Sequence, residues 1–327
     1  MREEQPDICS QQPENSLSRS RERARARANP QSAIHNPKWI VHRLESVTST
    51  NDVAARMARE GAPEGTIVVA REQTAGRGRH GRSWSSPPGG LYLSIIFRPH
   101  LPFEDLWQMA FLAAVASAEA VGQVSGLPAR IKWPNDVLLN ARKVCGILIE
   151  APKPAASKSE IRPALRTVPP TDGAAFGRHP ATCVDIPQYA RRSRQRRENP
   201  KSEISSPVVV GIGINVNNQE FDPEISQTAT SIALEAGRQI AVEEVEEALL
   251  PRLDARYSRY VAGGFGPILR EWRNLDCTAG REVAVSTAEG VVEGRAVEID
   301  PRGALVIEHE DGTRTCVAAG DVIIRNT

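Results

Sequence analysis

Apolar positions recur in short runs from Trp39 onward, and the spacing within each run changes along the chain. "WIVHRLESV" from Trp39 predicts a strand, and "STND" at 49–52 has the hydroxyl and amide chemistry of a helix N-cap. In the helix that follows, Val53 and Met57 fall one turn apart, and Gly61 supplies the stop. "TIVVARE" (66–72) and "LYLSIIF" (91–97) predict two strands, and residues 104–122 a long, largely buried helix. Short strands follow in "RIKW", "DVLLN" and "KVCGILIE", and "PVVVGIGINVN" (207–217) adds one that ends in glycines and asparagines. Residues 242–263 form an amphipathic helix in which Pro251 predicts a break. Beyond "ILREWRNL" five short strands alternate with the turns Ala288-Glu289-Gly290, Pro301-Arg302-Gly303 and Asp311-Gly312, predicting a small barrel of about 50 residues.

Two stretches carry no such pattern. Residues 1–36, with the run "SRSRERARARA", are too poor in large apolar groups to offset their ordering entropy and predict a disordered tail. Five acidic residues there argue against a transit peptide, and whether Met1 is the natural start stays open. Residues 152–206, with eight prolines and "RRSRQRR" at 191–197, predict a flexible basic insertion. The expected organisation is therefore a tail (1–36), a main domain (37–275) interrupted by 152–206, and a barrel (276–327).

Charge narrows the partners. The net charge of +1 conceals an insertion with 11 Lys/Arg against 5 Asp/Glu, while residues 207–327 carry 11 basic and 20 acidic groups. A duplex-binding surface wants the opposite sign, so no DNA binding is expected. Neither a span of roughly 20 apolar residues nor a secretory h-region is present, so no membrane is expected and the location expected is cytoplasmic. Five scattered cysteines without a CxxC pair suggest neither a disulfide framework nor a zinc site.

Three stretches carry chemistry. In "AGRGRHGRSW" (75–84), glycines 76, 78 and 81 loosen the backbone, and Arg77, Arg79 and Arg82 supply forked donors for carboxylate, phosphate or a nucleic-acid backbone. A solvated basic hairpin explains the same composition. No Gly-Lys-Ser/Thr follows, so it is not a Walker A loop. In "KWPNDV" (132–137), Lys132 ends a strand beside a turn and can face a fixed anion, or it is a surface lysine. In "GIGINVN" (211–217), small residues admit a ligand to the backbone, although a plain strand exit would look alike.

In order and spacing, "STN", "QTAGRGRHGRSW", "KWPND", "RKVCGILIE" and "GIGINVN" together resemble the catalytic domain of biotin protein ligases, over roughly residues 40–151 and 207–327. The resemblance implies an α+β fold: a mixed β-sheet with flanking helices, akin to class II aminoacyl-tRNA synthetases, followed by an SH3-like barrel. It implies activation of biotin by MgATP to biotinyl-5'-AMP, then transfer to a lysine of the biotin carboxyl carrier domain of acetyl-CoA carboxylase or a related carboxylase. Catalytic roles would fall to Lys132, Arg77 and Arg79. Biotin would meet Ser49, Thr50, Asn51, Gln73, Gly76, Arg77, Gly78, Arg79, Trp84, Lys132 and Gly146, and the nucleotide Arg79, Arg82, Asn135 and Asn215. No adenine-stacking group and no metal ligand stands out. The chain departs from the pattern in its insertion and in lacking the N-terminal DNA-binding domain of the repressor members, which removes any expectation of repression. The competing readings are a lipoate ligase or octanoyltransferase of the same fold and a nucleic-acid-binding module.

Overall fold

The computed structural model describes residues 39–152 and 207–325. The expected tail and, apart from Pro152, the expected insertion lie outside them, as do Cys9 and Cys183. The predicted apolar runs become β1 (Ile40–Val47), β2 (Thr66–Gln73), β3 (Leu91–Phe97), β4 (Arg130–Lys132), β5 (Asp136–Leu139), β6 (Arg142–Glu150) and β7 (Val208–Ile214). They form one sheet in the order β1-β2-β3-β7-β6-β5-β4. β1 and β2 are parallel and the other pairs antiparallel, which makes the sheet mixed, as expected.

Strand alternation assigns the two faces. Ile67 and Val69, Ile95 and Phe97, and Val208, Val210, Ile212 and Ile214 enter the large core with α2 (Gln108–Ser125). Their neighbours Val68, Ile96 and Val209 point the other way, onto Ala54 and Ala58 of α1 (Thr50–Arg59). On β7 this second face continues as Gly211 and Gly213, and Gly213 pairs across with Gly146 of β6. The α1 side of the sheet thus gains a floor with no side chains on it.

Three details depart from the sequence reading. Helix α2 begins at Gln108 rather than 104, because a separate 3-10 turn occupies Phe103–Asp105, and it runs on to a left-handed Gly126. Ser49 stands at the N-cap of α1 with an extended backbone, but its side chain makes no cap bond. The Thr50 N–H is taken instead by Gln73 Oε1 at 2.8 Å, so a strand side chain caps this helix. Pro251 does not break its helix, which runs from Val242 to Gly263 as α4 after a short α3 (Ile232–Ala236). Pro251 is exposed, so the carbonyl it leaves without a partner can meet water, while buried Val245, Leu249, Leu253 and Tyr257 anchor the turns on both sides.

After α5 (Phe265–Leu275) come β8 (Glu282–Thr287), β9 (Gly290–Ile299), β10 (Leu305–Glu308), β11 (Arg314–Val317) and β12 (Asp321–Ile324). They form an antiparallel sheet in the order β11-β10-β9-β8-β12. The predicted turns fall where Gly290, Gly303 and Gly312 take φ of 141°, 75° and 79°. Val283, Val285, Ile299 and Leu305 belong to the same core as α2. The contact is close: a Cβ on Gly303 would lie 2.3 Å from Trp107, and Trp133 Nε1 donates to the Gly303 carbonyl at 2.9 Å.

Candidate active site

The arginine loop between β2 and β3 is folded back as an irregular hairpin. Trp84 N–H donates to the Gly76 carbonyl at 2.9 Å, and Gly78 N–H to the Arg82 carbonyl at 2.7 Å. His80 and Gly81 turn its tip at φ of 54° and 74°. Gly76 is buried because the opposite limb passes so near that a Cβ would lie 2.4 Å from the Trp84 carbonyl oxygen. The hairpin overhangs a cavity of about 1030 Å³ on the α1 side of the sheet.

The three loop arginines have different partners. Arg77 reaches Asp52 at 2.6 Å and Glu150 at 2.9 Å. Arg82 pairs with Asp321 at 2.6 Å. Among the described residues Arg79 has only neutral acceptors in hydrogen-bond reach, Asn135 Oδ1 at 2.7 Å and the Gly320 carbonyl at 2.9 Å, beside His80 Nε2 at 3.4 Å. Burial lowers the Arg79 pKa, against the opposing pull of nearby Asp321 and Asp136. A partly buried guanidinium without a bonded carboxylate is the strongest anion-seeking group of the three.

Below it stand two ammonium groups. Lys132 Nζ lies 3.3 Å from Asp136 and donates to the Val322 carbonyl at 3.3 Å, while Lys143 Nζ lies 2.6 Å from the other Asp136 oxygen. Burial works to raise the Asp136 carboxyl, but Lys143 and Lys132 outweigh it and hold it below the usual carboxylate range. Lys143 also sits 5.3 Å from the centre of the Trp84 ring. That indole lies over the glycine floor, where a Cβ on Gly213 would come within 2.6 Å of its Nε1 and one on Gly146 within 3.1 Å of Cζ3. Trp84 Nε1 is buried without a hydrogen-bond partner.

At the other end a polar chain runs off α1. Thr50 Oγ1 donates to Gln73 Oε1 at 3.0 Å, and Gln73 Nε2 to Ser86 Oγ at 2.8 Å. Ser94 Oγ donates to Asn51 Oδ1 at 2.5 Å, and Asn51 Nδ2 to Glu150 at 2.8 Å. Gly211 makes room, since a Cβ there would fall 2.3 Å from Asn51 Oδ1.

The cavity collects every residue that the resemblance assigned to the site except Gly76, which serves the hairpin instead. Asn135 and Asn215 both line it while holding structure: Asn135 bonds Arg79 and the Ile147 carbonyl, and Asn215 Nδ2 donates to the Thr230 carbonyl at 3.0 Å. Sequence reasoning missed Lys143, which stands inside the quoted "RKVCGILIE" with only its strand position to mark it. It also missed Glu150 and Asp321, the partners of Arg77 and Arg82, and Phe221, an aromatic lining residue beyond β7.

Residues 44–159 match the Biotin/lipoate A/B protein ligase family, and residues 278–325 the biotin protein ligase C terminal domain. The chain is 33% identical over 276 residues to the bifunctional ligase/repressor BirA of Bacillus subtilis, covering 84% of this chain and 70% of that one. It is 30% identical to the biotin--[acetyl-CoA-carboxylase] ligase of Paracoccus denitrificans, covering 84% and 97%. The biotin protein ligase of Aquifex aeolicus in complex with biotin and ATP superposes with a TM-score of 0.64 at 27% identity, over 88% of this chain and 99% of that one. The fold and the family matches place the chain among ligases of the biotin/lipoate class. Within that class, the chain belongs to the biotin protein ligase family.

Proposed function

We propose that this protein activates biotin with MgATP and transfers it to a lysine of a biotin carboxyl carrier domain. A biotin carboxylate oxygen attacks the α-phosphorus of ATP, pyrophosphate leaves, and biotinyl-5'-AMP forms. The ε-amine of the carrier lysine then attacks the acyl carbon, AMP departs with the bond electrons, and the amine loses its proton. Both substrates of the first step are anions, so their approach needs fixed positive charge. One observation carries the reading: Arg79, Lys132 and Lys143 converge on a single cavity over a glycine floor.

In this account Lys132 and Arg79 face the carboxylate and the α-phosphate. Arg77 and Arg82, each held by a carboxylate, fix the hairpin rather than the ligand. Ser49, Thr50 and Gln73 take the polar ureido end, Gly146 and Gly213 let the ligand lie on the sheet, and Trp84 walls it. The magnesium enters with the triphosphate; among the described residues no cluster of three His, Cys, Asp or Glu groups could hold a metal ion. No helix among the described residues is long and apolar enough to cross a membrane. A cytoplasmic location is part of this proposal, and so is the absence of DNA binding, which rests on the acidic balance of residues 207–327.

Intact-mass measurement of a purified carboxyl carrier domain tests the reading. Incubation with the protein, biotin and MgATP should add one biotin to one lysine. A carrier that gains lipoate but never biotin would replace this reading with a lipoate ligase.

A further inference from the structure

The C-terminal sheet lines part of the same cavity, and through one short stretch, residues 320–322, it bonds three cations of the proposed adenylation machinery. Gly320 accepts from Arg79 at 2.9 Å, Asp321 pairs with Arg82 at 2.6 Å, and Val322 accepts from Lys132 at 3.3 Å. His80 of the hairpin tip stands 3.9 Å from the second Asp321 oxygen. Three consecutive residues therefore meet three different cations of the site, all more than 180 positions away in the chain.

The stretch is placed by packing. A Cβ on Gly320 would lie 2.6 Å from Val285 Cγ1 and 2.9 Å from the Ser286 carbonyl oxygen, so the backbone here is pressed onto β8. Asp321 opens β12 opposite Ser286 in the register. Of the three contacts only the one through Asp321 brings a negative charge. Without it, Arg82 would be a free cation near Arg79, repelling it and competing for the same anions.

We propose that Asp321 is a positioning residue: it holds Arg82 and the tip of the hairpin against the C-terminal sheet, so that Arg79, alone of the loop arginines, faces the reacting anions and the acyl-adenylate stays covered. The hairpin is then pinned at both limbs, by Asp52 and Glu150 through Arg77 and by Asp321 through Arg82. Only the second pin belongs to the C-terminal sheet. That sheet thus becomes part of adenylate retention, an inference that rests on the adenylation reading above.

Two measurements on the full chain test it, one of which needs no ligand. The first is the trypsin cleavage rate after Arg79 in native buffer. Loss of a partly exposed ion pair should raise it about fivefold in Asp321→Asn. Arg82→Ala should do the same, the double variant should add nothing further, and Asp321→Glu should restore slow cleavage. The second is the time for which biotinyl-5'-AMP stays bound after gel filtration, which should shorten in parallel. Additive effects of Asp321→Asn and Arg82→Ala, or no change in cleavage or in retention, would overturn the proposal. Failure of the parent protein to form the adenylate would instead overturn the functional reading and leave the cleavage result to decide the pin.

Discussion

A methyl group added at Gly213 probes the floor of the site with little disturbance elsewhere. The backbone at Gly213 is ordinary strand, so alanine is tolerated locally, and β7 keeps its pairs with β3 and β6. The new Cβ would, however, stand 2.6 Å from Trp84 Nε1 and 2.8 Å from Cε2. To regain ordinary carbon contact the indole must retreat by roughly 1 Å. Trp84 sits on the return limb of the hairpin whose tip carries Arg79 and is bonded across to Gly76, so the retreat is passed to the cation-bearing tip. Misplacement of about 1 Å in a positioning element can cost on the order of 100-fold in rate, equivalent to about 2.7 kcal/mol. Gly213→Ala should therefore lose about that factor in kcat/KM for biotin in pyrophosphate exchange, while its thermal midpoint stays within a few degrees of the parent. Activity within threefold of the parent would refute the idea that ligand and indole share this floor.

Lys132→Ala should slow adenylation about 100-fold, the usual cost of roughly 3 kcal/mol for one charge-assisted donor, and Lys132→Arg should rescue poorly because a planar fork does not replace a point charge; single-turnover kinetics check both. Ala141→Gly should raise stability by about 1 kcal/mol in urea denaturation, since Ala141 holds a left-handed φ of 64° in the turn between β5 and β6. Asp136, whose folded pKa is depressed, contributes stability above its unfolded value of about 3.9 that is lost as pH falls through the lower folded value; Asp136→Asn should flatten that acid limb in denaturation measured against pH. Replacing residues 153–205 by a short Gly/Ser linker should leave folding and adenylation intact, because Glu150 and Val209 are already paired across adjacent antiparallel strands; slower carrier transfer at low salt only would assign the basic run a docking role.

The strands of the main sheet were legible as short apolar runs because β2, β3 and β7 are covered on both faces, as in β7 with Val208, Val210, Ile212 and Ile214 in the large core and Val209 against α1. The helix at 242–263 misled because Pro251 carries a local penalty that its buried flanks override. At the site, the residues on short motifs were legible as a set. Their partners were not: Arg77 and Arg82 look like Arg79 in sequence, and only tertiary contacts with Glu150 and Asp321 separate them. The Gly320–Val322 contacts arise from packing of one sheet on another, for which a linear pattern has no period.

Pyrophosphate exchange into ATP, run with biotin and in parallel with lipoate, separates biotin activation from lipoate activation in one assay. Exchange should depend on biotin, need magnesium, and stay at background with lipoate at equal concentration. Exchange supported by lipoate and not by biotin would contradict biotin activation.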